Sequence, residues 1–434
     1  MITRNRIKKS EKQVEERWQR LLGKELRTEG GKRLRVIYPG RANGDSGPDF
    51  RDVIIAMNES NLVKGDIEIH VKSSDWYRHG HHTNPEYNNV ILHVVMWHDC
   101  DSATLTQNGK VVPVLPLSFG YRAYSPPYRL PCFQIMKRRG KQSLKKLLDI
   151  AGEERFKQKA INFQARLQQE EVGEVLFQGM MRALGYSKNT RPFEELACKM
   201  PLNFLESRES LAIKQALLLG TAGLLPSQRL QGKSAREKEV QELEQIWRSV
   251  GKEAKTMSEK DWHLFHVYPN NSPVRRIAAQ SYLLQRYYEG GLLIGILQLV
   301  KGASLINGYH ELENGLVVFG DDYWQEHFDF GIGLKTRKSA LLGHGKAGEI
   351  VVNVILPFAF SWGEIADEPE LKEKAINFYA YYPKLAENEI TRHMARQLCL
   401  EDTPDFTACH QQGLIHIFRN YCREGRCSEC PLAN

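Results

Sequence analysis

Apolar and polar residues alternate one by one from residue 65 to 72, whereas beyond residue 140 apolar residues recur three and four apart. The chain thus changes from a strand rhythm to a helix rhythm part-way along. In the first stretch Ile67, Ile69 and Val71 alternate with Asp66, Glu68, His70 and Lys72. Successive side chains of a strand point to opposite faces. One face is therefore aliphatic, and the other carries acids, an imidazole and an ammonium in a row. Residues 10–25 read as an amphipathic helix with Ser10 at its start and Gly23 near its end. Strands are predicted at 33–38, 50–57, 63–72, 90–97 and 104–116, with a turn-rich 58–61 and an Asn108-Gly109 hairpin turn inside the last. The connection 73–89 reads as a short helix or an ordered loop.

The helical rhythm is clear at 144–169, 172–184, 210–218, 238–249, 273–288 and 370–380, and the polar, basic 227–239 reads as an exposed linker. Prolines and tyrosines without a period fill 121–131, which places the domain boundary there. The expectation is an α+β protein. An α/β domain with a mixed sheet occupies 1–125, a mostly α-helical region occupies 132–434, and the end, 409–434, is a Cys-rich tail.

Composition and charge refine this only a little. At 434 residues, 41% hydrophobic and 26% charged, the chain has the make-up of a globular protein. No apolar run approaches the length needed to span a bilayer; the longest candidate, 290–300, is too short and contains Gln298. The basic first residues are not followed by an apolar core, so no secretory signal is read. A cytoplasmic protein without a membrane partner is the default expectation. The net charge of +8 fits a phosphate-rich partner such as nucleic acid, although many enzymes carry as much.

Candidate chemistry sits at two places. Gly47-Pro48-Asp49-Phe50 is a turn that brings a carboxylate towards the end of the Glu68 row. Two carboxylates beside a lysine suit a divalent ion and a phosphodiester, because hard cations take oxygen ligands and the lysine offsets charge on the phosphate. Close by, His79, His81 and His82, with His93 or His98, form a second metal candidate. Gly80 between them points to a loop, and the favoured role is phosphate contact or support of the Glu68 row. At the other end Cys422, Cys427 and Cys430 stand within nine residues, with Cys409, His410 or His416 to supply a fourth ligand. In a reducing compartment such spacing reads as a metal site, zinc or iron–sulfur.

Helix, three-strand meander, connection and further strand, with Pro48-Asp49 at the second strand and Glu68 to Lys72 on the third, resemble the core of the PD-(D/E)XK, or restriction-endonuclease-like, nucleases. That resemblance covers about a quarter of the chain. It implies Mg²⁺ held by Asp49 and Glu68, with Lys72 or His70 positioning or activating water. It also implies a further acid from the first helix, Glu15 or Glu16. The family usually has one residue between acid and lysine, so His70 stands at the usual acid position if Lys72 is the lysine. If Glu68 is the acid, His70 replaces the lysine. Cys427-x-x-Cys430-Pro431 resembles the iron–sulfur tail of endonuclease III and the adenine glycosylases, without its last cysteine. Leu342-Gly343-His344-Gly345-Lys346 resembles a helix-hairpin-helix turn, with Ala347 where those glycosylases have lysine. The whole chain also resembles a family of uncharacterised bacterial proteins of about this length, which brings no reaction with it. The functional expectation is a metal-dependent nuclease or DNA-repair-type protein acting on nucleic acid, DNA first. The alternative is a non-catalytic nucleic-acid-binding or scaffolding protein with a degenerate nuclease fold.

Overall fold

The alternating segments pair into a seven-stranded mixed sheet, and the helical segments form a separate bundle. The computed structural model describes residues 10–57, 61–117, 132, 140–230, 237–251, 255–264, 271–320, 322–334, 340–400 and 406–433. The predicted boundary 121–131 and most of the 58–61 turn lie outside the described residues. Contacts group the chain into two compact units. One holds 1–144, 388–402 and 417–434, and the other 145–387 and 403–416. The end of the tail therefore belongs with the sheet, whereas the sequence placed all of 409–434 with the helices. Periodicity reports local structure and carries no information on which distant segments pack together.

In the sheet unit, helix α1 (Glu11–Gln19) precedes β1 (Glu25–Arg27), β2 (Arg33–Tyr38), β3 (Arg41–Ala42), β4 (Phe50–Met57), β5 (Asn61–Lys72), β6 (Val90–Trp97) and β7 (Val114–Pro116). The order is β1-β2-β4-β5-β6-β7, with β3 beside β4. Pairing is antiparallel up to β5 and parallel for β5-β6 and β6-β7. A parallel neighbour needs a crossover. Residues 73–89 provide it between β5 and β6, as short helix α2 (Asp75–Arg78) and two 3₁₀ turns, His81–Thr83 and Pro85–Asn89. The Asn108-Gly109 turn is present, closed by a bridge between Leu105 and Val111, but only Val114–Pro116 of the fifth predicted strand joins the sheet. One face of the sheet packs Val36, Ile67, Ile69, Leu92 and Val94 against Val14 and Trp18 of α1. The Trp18 indole N–H is satisfied by the Pro39 carbonyl at 2.9 Å. Burial of this aliphatic face holds the register of β5, because a one-residue slip would bury Glu68 and His70 among hydrocarbons.

The helix Glu389–Leu398 belongs to the same unit and buries His393 between the rings of Tyr38 and Phe418, with centroids 5.0 and 5.6 Å away. Burial first, and then the Arg396 charge, lowers the His393 pKa to about 4. The unfolded chain takes up this proton near pH 6.5 and the folded one does not, so stability is complete above pH 6.5 and lost as pH falls towards 4. The expected share of His393 is up to about 3 kcal/mol. Denaturant unfolding of His393→Phe should show a pH dependence shallower by that amount over this window. An unchanged slope would assign the acid sensitivity elsewhere.

In the helical unit, Val172–Leu184, Leu211–Thr221, Pro273–Arg286, Leu292–Gly302 and Pro369–Tyr381 enclose one large aliphatic core. Ser227, at the start of the presumed linker, is bonded through its N–H and hydroxyl to Glu244, and residues 231–236 lie outside the described residues. Gly343 is an ordinary helix entry. Leu342 before it is bridged to Val318 in an extended segment, and Lys346 is buried against Glu349 and the Tyr186 ring. Contrary to the expectation that no run approaches spanning length, one helical run among the described residues, His344–Ile365, has the length and apolarity to cross a membrane. In its most apolar window 67% is buried inside the unit.

Candidate functional site

Strand β5 sets out the site. Ile67 and Ile69 face the core, and Glu68 and His70 point from the opposite face, 5% and 1% exposed. In the parallel register Glu68 lies beside His93. The crossover folds back over this face. Trp76, fully buried, bonds its indole N–H to the Leu105 carbonyl at 2.8 Å and lies against the His81 and His93 rings. Gly80, at φ +74°, reverses the chain between His79 and His81 and lets both imidazoles turn towards His70.

Asp49 arrives from the other side. Gly47, at φ +89°, turns the chain ahead of β4, and a bulge follows Phe50. The Asp49 N–H donates to Glu68 Oε2 at 3.1 Å, and Asp49 Oδ2 accepts from the Ile69 N–H at 2.8 Å. Asp49 is thus tied to Glu68 and to the strand beside it through these two backbone N–H bonds.

The donor atoms meet at close range. His70 Nε2 lies 3.1 Å from His79 Nδ1, 3.2 Å from His81 Nε2 and 3.5 Å from Glu68 Oε1, and Glu68 Oε1 is 3.1 Å from His81 Nε2. Tetrahedral ligands about 2.0–2.1 Å from a shared ion are separated by about 3.3–3.4 Å. The measured separations fall around that value. His70 Nδ1 lies 2.9 Å from His93 Nε2, which leaves the Nε2 lone pair to face the other donors when Nδ1 carries the proton. Glu68, His70 and His81 form a buried floor, while His79 is exposed and Asp49 half-buried at the mouth. The Tyr87 ring stacks on His81 with centroids 4.0 Å apart.

The electrostatics are one-sided. Among the described residues, no Lys or Arg pairs with Asp49 or Glu68. Burial first, then the Glu68 charge, raises the Asp49 carboxyl above the usual carboxylate range, and burial raises Glu68. Glu11 and Glu15 of α1 add to both shifts. Burial lowers His70, His81 and His93, and neighbouring imidazoles push His70 and His93 further down. Such a group of acids and imidazoles, with no cation paired to it, could hold a metal ion.

The other predicted residues are placed differently. Lys72 shares the face but lies two pleats from Glu68, about 13 Å along the strand. It is exposed and pairs with Asp99 at 3.4 Å. Glu16 is exposed on α1, and the acids of that helix felt at the site are Glu15 and, unforeseen, Glu11. His82 packs on Tyr77, and His98 approaches Glu29. The convergence of His79 and His81 with His70 was underrated in the sequence. The signal was a His-Gly-His just past a strand bearing Glu-x-His, since a short crossover must return over that strand's face. Of the C-terminal set, Cys422, Cys427 and Cys430 lie in the sheet unit, while Cys409 and His416 lie in the helical unit. Cys409 packs against Gly152, its thiol 3.7 Å from the Asp149 carbonyl, and His416 pairs with Glu154 at 3.1 Å.

A family model described as a protein of unknown function (DUF2851) matches residues 11–388, and the chain belongs to that family. No curated protein and no solved structure matches the chain.

Proposed function

We propose that this member of the DUF2851 family is a metal-dependent phosphodiesterase acting on nucleic acid, with its centre at Glu68, His70, His79 and His81. The observation that carries the reading is the convergence of three imidazoles within 4.8 Å of one another, with Glu68 Oε1 3.5 and 3.1 Å from two of them and Asp49 bonded beside it. An antiparallel meander followed by a parallel strand, with acids on the second and third of its long strands, is consistent with the nuclease resemblance. The net charge of +8 favours a polyanionic substrate.

The donor set revises the choice of ion. Mg²⁺ prefers oxygen ligands, whereas imidazoles suit Mn²⁺, Zn²⁺, Fe²⁺ or Co²⁺. An ion held there supplies Lewis acidity and lowers the pKa of its water. His93 orients the His70 ring. Asp49, at the mouth and with its carboxyl raised towards neutrality, accepts the proton of the attacking water. Glu11 and Glu15 add negative charge that favours the cation.

A second reading, a binding or scaffolding protein without cleavage, is favoured by one observation: Lys72, the candidate to offset phosphate charge, is paired with Asp99. The full-length protein incubated with Mn²⁺, Zn²⁺, Co²⁺ or Mg²⁺ and with single-stranded, duplex and branched DNA and RNA separates them. Cleavage with the imidazole-seeking ions, weaker with Mg²⁺, is the expected result. Binding without cleavage under every metal would overturn the enzyme reading in favour of the second.

A further inference from the structure

We infer a second metal centre, independent of the first, in which Cys132 joins Cys422, Cys427 and Cys430 as four thiolate ligands for an iron–sulfur cluster; no three of these sulfurs lie within 4.8 Å of one another, a wider spacing than the about 3.8 Å of four thiolates on one zinc ion. The fourth ligand is thus neither Cys409 nor His416.

The helix Glu389–Leu398 brings the first two thiols together. Gln397 donates through Nε2 to Cys132 Sγ at 3.2 Å, and Met394 Sδ is 4.0 Å from Cys422 Sγ. Met394 and Gln397 are three residues apart and share one helix face, so Cys132 and Cys422 lie along the same turn of that face. Cys427 opens a 3₁₀ turn, Cys427–Glu429, that bonds the Cys430 N–H to the Cys427 carbonyl at 3.2 Å and packs on the turn Phe418–Cys422. Cys132 and Cys430 are buried, and Cys422 and Cys427 partly so. Two of the thiols, Cys422 and Cys430, feel others of the set. Burial raises Cys422, followed by the Cys430, Cys132 and Cys427 sulfurs, and Cys132 and Cys427 add to the burial shift of Cys430. None of the four is in a disulfide.

The tail that brings three of them is fixed independently. Gly425, at φ +68°, leaves room for Leu62 of β5, where a Cβ would sit 2.3 Å from its side chain. Lys64 pairs with Glu424 at 2.7 Å, and Arg423 lies 3.7 Å from Asp52. The site therefore draws on three separate stretches of one unit: Cys132 from the first, the helical platform from 388–402, and the other three thiols from 417–434. A thiolate-bound cluster at that junction would tie the chain segments together, which is the task of a structural metal site.

The test uses the full-length protein, purified anaerobically, with metal analysis on a His79→Ala/His81→Ala background that removes the first centre. Iron with equimolar sulfide and a visible band is expected to remain, and one zinc per chain in its place would overturn the cluster. Cys132→Ser and Cys422→Ser should each abolish it, while Cys409→Ser keeps it. Should the serine variants fail to fold, alkylation of the native protein followed by mass spectrometry decides. Cys198 and Cys399, both exposed, should react at once, and the four ligands should react together only after a chelator is added. Metal retained in Cys132→Ser, no metal in the native protein, or a Cys427–Cys430 disulfide in it would each overturn the assignment.

Discussion

Glu68→Ala and His81→Ala are each expected to lower metal-dependent cleavage by about three orders of magnitude or more, because each removes a donor without which the ion is not held in place. Metal titration by calorimetry should show the cause directly as lost affinity. The series is graded. His93→Phe keeps every donor but frees the His70 ring, and the loss of such an orienting partner costs about 10- to 100-fold in metal affinity. Lys72→Met should stay within about threefold, since an exposed pair with Asp99 is worth little. Misfolding is excluded by Glu68→Gln. The folded-state pKa of Glu68 is raised, so its contribution to stability is present below the unfolded pKa and lost as pH rises through the folded one. At neutral pH the metal-free Glu68→Gln protein should therefore unfold no more easily than the wild type, while metal binding is lost. Cleavage retained in Glu68→Ala at wild-type rate would place the chemistry elsewhere.

Much of the sheet was legible because its signals are local. The alternation around Ile67 and Ile69 fixes which face of β5 packs on the first helix, and the turn at Gly47-Pro48 fixes where Asp49 enters. The Asp49 N–H bond to Glu68 follows from those two facts. The assignment of Lys72 did not hold, because sharing a strand face says nothing of distance along it, and two pleats suffice to give the ammonium a different partner. His79 and His81 depend on how a crossover folds back, which is set by Gly80 and by the burial of Trp76. The place of Cys132 was beyond local reading. It contacts Gln397 on the helix Glu389–Leu398, which also carries Met394 against Cys422, and all three segments are distant in sequence.

Gly152→Val is expected to destabilise the helical unit by about 3–5 kcal/mol, among the largest effects of any single change there. The helices Lys141–Leu167 and Ala408–Ile417 touch backbone to backbone at two points. A Cβ on Gly152 would lie 2.3 Å from the Cys409 carbonyl oxygen and 2.6 Å from its sulfur. A Cβ on Gly413 would lie 2.3 Å from the Leu148 carbonyl oxygen. Leu148 and Gly152 are one helical turn apart, as are Cys409 and Gly413, so the two contacts are reciprocal across an antiparallel crossing. Backbone atoms cannot swing aside as a side-chain tip can, and the helices must separate. That would break the bond from the Tyr379 hydroxyl to the Gly152 carbonyl, now 2.8 Å, and loosen Phe156 in the core below. Gly345→Ala is the matched control. It sits in the helix His344–Ile350 with nothing within 4 Å of the added methyl group, so alanine's better helix propensity should stabilise by about 0.5–1 kcal/mol. Urea unfolding of the two variants should move in opposite directions. If Gly152→Val lies within about 1 kcal/mol of the wild type, the crossing is looser than this contact requires, and Cys409 would be free to take a role other than packing.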